Sequence, residues 1–141
     1  MQFRDETAFE LGAQIPSVLK YERVIRYMTQ AIAVEARFDE TQVRDIQLAV
    51  SEACTNAIEH GNGNNPDLPV RVIWLIAPQR YLEIQIIDSG QRALIPNVET
   101  EKQYGGWGLF LISELMDELE TSNLPDGANQ VRLRVRLPIQ K

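Results

Sequence analysis

The stretch Asp39–Gly61, DETQVRDIQLAVSEACTNAIEHG, decides how the whole chain is read. Val43, Ile46, Val50, Ala53 and Ala57 recur at the three- and four-residue spacing that gathers side chains on one side of an α-helix. Asp39 takes the N-cap position, and Gln42 stands three residues on, where a capping box needs it. Gly61 suits a left-handed exit at the other end. Beside the apolar arc, Glu52, Asn56 and His60 follow at four-residue intervals. Successive positions at that spacing lie about 40° apart, so the three share one stripe at the margin of the core. A carboxylate placed there can accept a proton, and an Asn amide oxygen suits magnesium. Surface helices ordinarily carry polar stripes too, and the stripe alone leaves both readings open.

Working outward, Thr7–Gln14 reads as a first strand ended by Pro16, and Ile15–Arg37 carries apolar residues at helical spacing. After the polar loop that begins at Gly61, Val70–Ala77 and Tyr81–Ile87 form a hairpin about Pro78-Gln79-Arg80. The segment from Asp88 to Gly106 has no periodicity and reads as a loop. A third helix is expected from Gly108 to Glu120, and Val131–Leu137 as a last strand. These elements predict an α/β two-layer sandwich, with helices on one face of a mixed, mostly antiparallel sheet.

A loop that long inside a small domain usually has a functional reason. Here it is bracketed by Asp88-Ser89-Gly90 and Gly105-Gly106-Trp107-Gly108. A carboxylate at a strand end can accept a hydrogen bond from an amine, and a glycine beside it admits a flat ring to the backbone. Glycines ahead of a helix leave its first N–H groups accessible to an anion. A plain β-turn and an unliganded helix start are the alternatives.

Composition removes other classes. The chain has 141 residues, room for one domain over 1–141, and 44% of them are hydrophobic, which argues against disorder. A net charge of −6 argues against direct nucleic-acid binding. The apolar runs, such as Val72–Ala77, fall far short of the roughly 20 residues that span a bilayer. The acidic start lacks the features of a signal peptide, so a cytoplasmic protein without membrane partners is expected. One cysteine, Cys54, excludes an internal disulfide and reads as buried packing. His60 is the only histidine, which leaves no histidine cluster for zinc.

Taken in order, helix Glu-xxx-Asn-xxx-His, strand-end Asp-x-Gly, loop and Gly-x-Gly before a helix resemble the GHKL ATPase superfamily. Ala49–His60, AVSEACTNAIEH, looks like the N-box of bacterial anti-sigma-factor serine kinases, and Gly105–Leu119, GGWGLFLISELMDEL, is similarly close to that branch. The resemblance runs from the first strand to Leu137. It implies a Bergerat-type fold that binds ATP and Mg2+. Asn56 would ligate the magnesium, and Glu52 would be the general base for an incoming serine or threonine hydroxyl. Asp88 would hold the adenine amino group, Gly90 would admit the ring, and Gly106 and Gly108 would offer N–H groups to the phosphates. Gly105, Leu109 and His60 also count among the nucleotide-binding positions, and Gln91–Tyr104 becomes the lid.

Two departures stand out. Gln91 and Arg92 replace the second glycine of the usual Asp-x-Gly-x-Gly, which predicts a stiffer lid hinge. Asn129 stands near the last strand where the family often has a threonine, and it can still donate a hydrogen bond. The implied partners are an anti-sigma-factor antagonist with an acceptor serine, a sigma factor or phosphatase, and a second copy in a homodimer. The resemblance thus implies a partner-switching serine/threonine kinase. Alternatives are a nucleotide-gated module that switches a partner without phosphorylating it, and a structural protein that has lost nucleotide. The row Arg132, Arg134, Arg136 reads as a charged outer face or sheet edge, or as a docking surface for an acidic partner.

Overall fold

A computed structural model describes residues 8–90 and 108–138. Five strands, β1 (Phe9–Pro16), β2 (Pro69–Ala77), β3 (Tyr81–Asp88), β4 (Glu118–Asn123) and β5 (Asn129–Arg136), lie in the order β1-β2-β3-β5-β4. All four pairings are antiparallel. The helices are α1 (Glu22–Glu35), α2 (Glu40–Asn56) and α3 (Gly108–Leu115). The architecture is therefore the expected two-layer sandwich, with no parallel pairing among the described strands.

Register decides which residues meet the helices. Trp74 faces Ile84, which faces Leu133, while Val72, Ile86 and Val131 form the next row. All six are buried and share the core with Ile46, Val50 and Ala53 of α2. A fully buried side chain of this kind contributes roughly 1.5–3 kcal/mol. The one polar atom of Trp74 also finds a partner: its Nε1–H donates to Thr29 Oγ1 at 3.1 Å. That hydroxyl donates in turn to the carbonyl of Ile25 at 2.7 Å, so α1 is tied to the sheet by a satisfied buried chain.

The capping box at Asp39 forms as its sequence predicts. Gln42 N–H donates to Asp39 Oδ1 at 2.8 Å, and Asp39 N–H donates to Gln42 Oε1 at 3.2 Å. Other boundaries differ. The first strand runs on through Pro16, which pairs with Pro69 at the sheet edge. Helical spacing begins at Ile15, yet α1 starts only at Glu22, after a short tight turn over Leu19–Tyr21. The third helix stops at Leu115, and Glu118–Asn123 is an edge strand instead of helix. Only Leu119 in that strand is apolar, so a period of two had nothing to mark it. The exit glycine also differs: positive φ occurs at Gly63 and Asn64, and Gly61 is not among the positive-φ residues.

The arginine row lies on the outer face of the sheet, but β5 runs between β3 and β4 and is no edge. Register places Glu83 and Glu118 on either side of Arg134, and Gln85 and Glu120 on either side of Arg132. Arg134 Nη2 donates to Glu83 Oε1 at 2.7 Å, and its guanidinium stacks 4.0 Å from the Tyr81 ring centroid. Arg132 pairs with Glu120. Glu83 is only 3% exposed, and Arg134 is its main hydrogen-bond donor. Arg134→Ala is expected to lower stability by about 1–3 kcal/mol in denaturant titration, the cost of a buried charged acceptor left without its main donor. An unchanged midpoint would mean the row is solvated and independent.

Candidate functional site

The stripe on α2 keeps its four-residue spacing only as far as Asn56. Beyond it the helix widens into a π turn over Ala57–Gly61, where Asn62 N–H donates to Ala57 O at 2.9 Å. Such insertions re-aim side chains and often mark functional sites. Glu52 and Asn56 are half-buried on the regular part, whereas the half-buried His60 belongs to the wide turn and leaves the strict stripe.

Glu52 and Asn56 converge on the first residue of α3. A Cβ built on Gly108 would lie 2.9 Å from Asn56 Nδ2 and 3.2 Å from Glu52 Oε2. With no side chain at Gly108, the helix start lies directly against the two side chains. Leu109, the next residue, is half-buried and packs against the core. Gly105, Gly106, Gln91 and Arg92 lie outside the described residues. Gly108→Ala is expected to melt within a few degrees of wild type, because the crowded atoms are the far ends of side chains and can yield. Magnesium-ATP binding or phosphotransfer should fall by about 10- to 100-fold, since small displacements of such groups are costly to catalysis. Wild-type activity in a folded Gly108→Ala protein would refute this placement.

At the end of β3, Asp88 is buried, 7% exposed. Its Oδ1 accepts from Gly90 N–H at 2.7 Å and from Asn129 Nδ2 at 3.1 Å, with a further bond from the Asn129 backbone. Asn129 donates here as its position in the sequence predicts. Among the described residues, three donors meet about four carboxylate lone-pair sites, an arrangement that can accept one more bond, such as that of an amine. Burial holds the Asp88 carboxyl above its ordinary range, and the bonds from Gly90 and Asn129 pull the other way.

Two glycines make this placement possible. A Cβ on Gly61 would overlap Asp88 Oδ2 and come within 2.5 Å of Cγ. Gly61 is therefore required by close approach, not by a left-handed helix exit. Gly90 has φ +74°, and a Cβ there would overlap the carbonyl of Gly127. Its lack of a side chain serves both the strand-end turn and the packing of the β4–β5 connection.

Sequence reasoning missed Asn62 and Ser17, which are 2% and 1% exposed. Asn62 Oδ1 accepts from Ser89 N–H at 2.8 Å, and its Nδ2 donates to Ser17 Oγ at 2.8 Å and Pro69 O at 3.1 Å. A lone Asn in a Gly/Asn-rich loop looks like turn chemistry, and no local signal marks it as buried. Cys54 is buried as expected, its thiol pushed up to about 12 first by burial and then by Glu22, so it is inert. A cavity of about 440 Å3 between Gln42, Asp45 and Ile46 and the segment Leu115–Asp117 holds none of the predicted site residues.

An antiparallel sheet covered on one face by helices, with a buried carboxylate at one strand end and an acid–amide pair against a helix start, defines an ATPase-type nucleotide domain. The chain belongs to the histidine kinase-like ATPase domain family, whose profile matches residues 15–135. In particular it is similar to the serine-protein kinase RsbW of Bacillus pumilus, at 34% identity over 82% of this chain and 80% of that protein. Its fold is like that of the crystallised RsbU and RsbW domains of Rv1364c from Mycobacterium tuberculosis, with a TM-score of 0.70 and 23% identity over 92% of this chain. This chain spans 32% of that longer protein. The SiaB-SiaC complex of Pseudomonas aeruginosa contains a similar fold, with a TM-score of 0.67 and 14% identity over 89% of this chain and 88% of that one.

Proposed function

We propose that the protein is an ATP-dependent serine/threonine kinase of the anti-sigma-factor type, acting on an antagonist protein in a partner-switching system. The observation that carries this reading is the convergence of Glu52 and Asn56 on Gly108. The serine-protein kinase relatives support it. Residues 1–141 would constitute one ATP-binding domain.

ATP would supply the phosphoryl group, and magnesium would neutralise charge on its phosphates. Among the described residues no group of three or more His, Cys, Asp or Glu is arranged to hold a metal. Magnesium commonly takes one or two protein oxygens and fills the rest of its shell with phosphate and water, so a single amide oxygen suits it. Asn56 would provide the amide oxygen. Asp88 would accept a hydrogen bond from the adenine amino group. Glu52 would take the proton from the acceptor hydroxyl, and the backbone at Gly108, with Gly105 and Gly106, would receive the phosphates.

The proposed partners are an antagonist carrying an acceptor serine, then a sigma factor or phosphatase. A second copy of the chain is proposed as well, with apolar surface at Phe9, Val24, Tyr27 and Val34 of β1 and α1 to receive it. No helix among the described residues is long and apolar enough to cross a membrane, and a cytoplasmic location is proposed. Incubation with magnesium, γ-labelled ATP and the candidate antagonist is expected to place label on an antagonist serine. ATP binding without transfer would overturn the kinase reading.

A further inference from the structure

We infer that Asn62 is the positioning residue that aims Asp88 at the base, and so sets the preference of the site for adenine over other purines. The inference rests on the adenine role proposed for Asp88 and concerns a residue that touches no nucleotide itself.

Four segments meet at this one buried amide. Asn62 Oδ1 accepts from Ser89 N–H, while Nδ2 donates to Ser17 Oγ and to Pro69 O. Ser17 Oγ–H donates to Leu68 O at 2.6 Å. The end of β1, the start of β2, the wide turn after α2 and the end of β3 are thereby bonded together. Every polar atom of the Asn62 side chain has a protein partner, so the amide has no alternative orientation of equal energy.

The bond to Ser89 matters most. Ser89 N–H belongs to the peptide group directly after Asp88, so Asn62 fixes the plane from which the Asp88 side chain departs. Gly61, the residue before Asn62, leaves the space that Asp88 Oδ2 occupies, since a Cβ there would overlap it. The last residue of the wide turn and the one after it thus accommodate Asp88 and bond the peptide that follows it. Gly90 and Asn129 bond Oδ1, whereas Asn62 bonds the N–H of the peptide that follows Asp88. Without Asn62, the carboxylate would keep its bonds from Gly90 and Asn129, and the peptide after it would lose the acceptor for Ser89 N–H.

The test compares ATP with inosine triphosphate, which presents a carbonyl where adenine presents an amino group. Binding of each in magnesium is measured by calorimetry for wild type, Asn62→Ala, Asn62→Asp and Asp88→Asn. Wild type should prefer ATP, and Asn62→Ala should lower that preference by about tenfold with little change for inosine triphosphate. Asn62→Asp keeps the acceptor for Ser89 and should restore most of the preference, even if it melts earlier. In nucleotide-free protein, exchange of the Ser89 amide hydrogen should accelerate in Asn62→Ala. Should that variant not fold, Ser17→Ala removes one support of the amide and should show a smaller change of the same kind.

A folded Asn62→Ala or Ser17→Ala protein that is less stable but keeps the full ATP preference overturns the inference and leaves Asp88 as the adenine contact. Preference lost in Asp88→Asn alone has the same meaning. Absence of any ATP preference in wild type instead removes the adenine reading of Asp88, and this inference with it.

Discussion

Glu52→Gln should slow phosphotransfer to the antagonist serine by about 10²- to 10⁴-fold, the usual contribution of a positioned general base. Glutamine has the same length and shape, so the contact with Gly108 and the neighbouring Asn56 is kept. What is lost is the basic oxygen. ATP affinity measured by calorimetry should therefore stay within about threefold of wild type, because a group that acts on the incoming hydroxyl contributes to the transition state and not to ground-state binding. A rate unchanged by the substitution would remove Glu52 from the chemistry. If wild type itself transfers nothing while ATP still alters partner binding, the protein is the nucleotide-gated switch and not the kinase.

Asp88→Asn should weaken ATP binding by about 10- to 100-fold, since a hydrogen bond to a charged group contributes about 1.5–3 kcal/mol. The amide can keep the acceptor that Gly90 and Asn129 use, but it turns the remaining oxygen into a donor that faces an amino group. Stability should move the other way. Burial raises the Asp88 carboxyl above its ordinary range, which means that the folded protein holds this proton more tightly than the unfolded chain does. The favourable contribution is complete below the ordinary carboxylate range and is lost as pH rises through the raised value. At neutral pH wild type carries the cost of a buried charge, and the asparagine variant does not.

Asp88→Asn should accordingly melt at the same temperature as wild type or higher at neutral pH, with the difference shrinking on acidification. ATP affinity of wild type should fall as pH descends through the raised value, whereas the variant should show no such dependence. Undiminished ATP affinity in Asp88→Asn would refute the adenine role. A large loss of stability at neutral pH would refute the electrostatic account of the site.

Helix α2 was legible because its signals are local: an apolar period, an N-cap and a capping partner all lie within its own residues. Glu52, Asn56 and Asp88 stood out as candidates for a related reason, since spacing along one helix and position at one strand end are properties of short segments. The hairpin β2–β3 belongs with them. The sequence by itself therefore determined the layer architecture and the family, and it singled out the side chains proposed for the site.

Only the tertiary structure decided the rest. Edge strand β4 carries one apolar residue, and its conformation is set by pairing with β5 rather than by its own pattern. The pairing of Glu83 with Arg132 and Arg134 depends on the register between β3 and β5. Gly61 reads as a helix stop until Asp88 is brought against it, and Asn62 reads as a turn residue until Ser17, Pro69 and Ser89 surround it. Each of these depends on contacts between residues distant in the chain, which burial and close packing create and which no local propensity records.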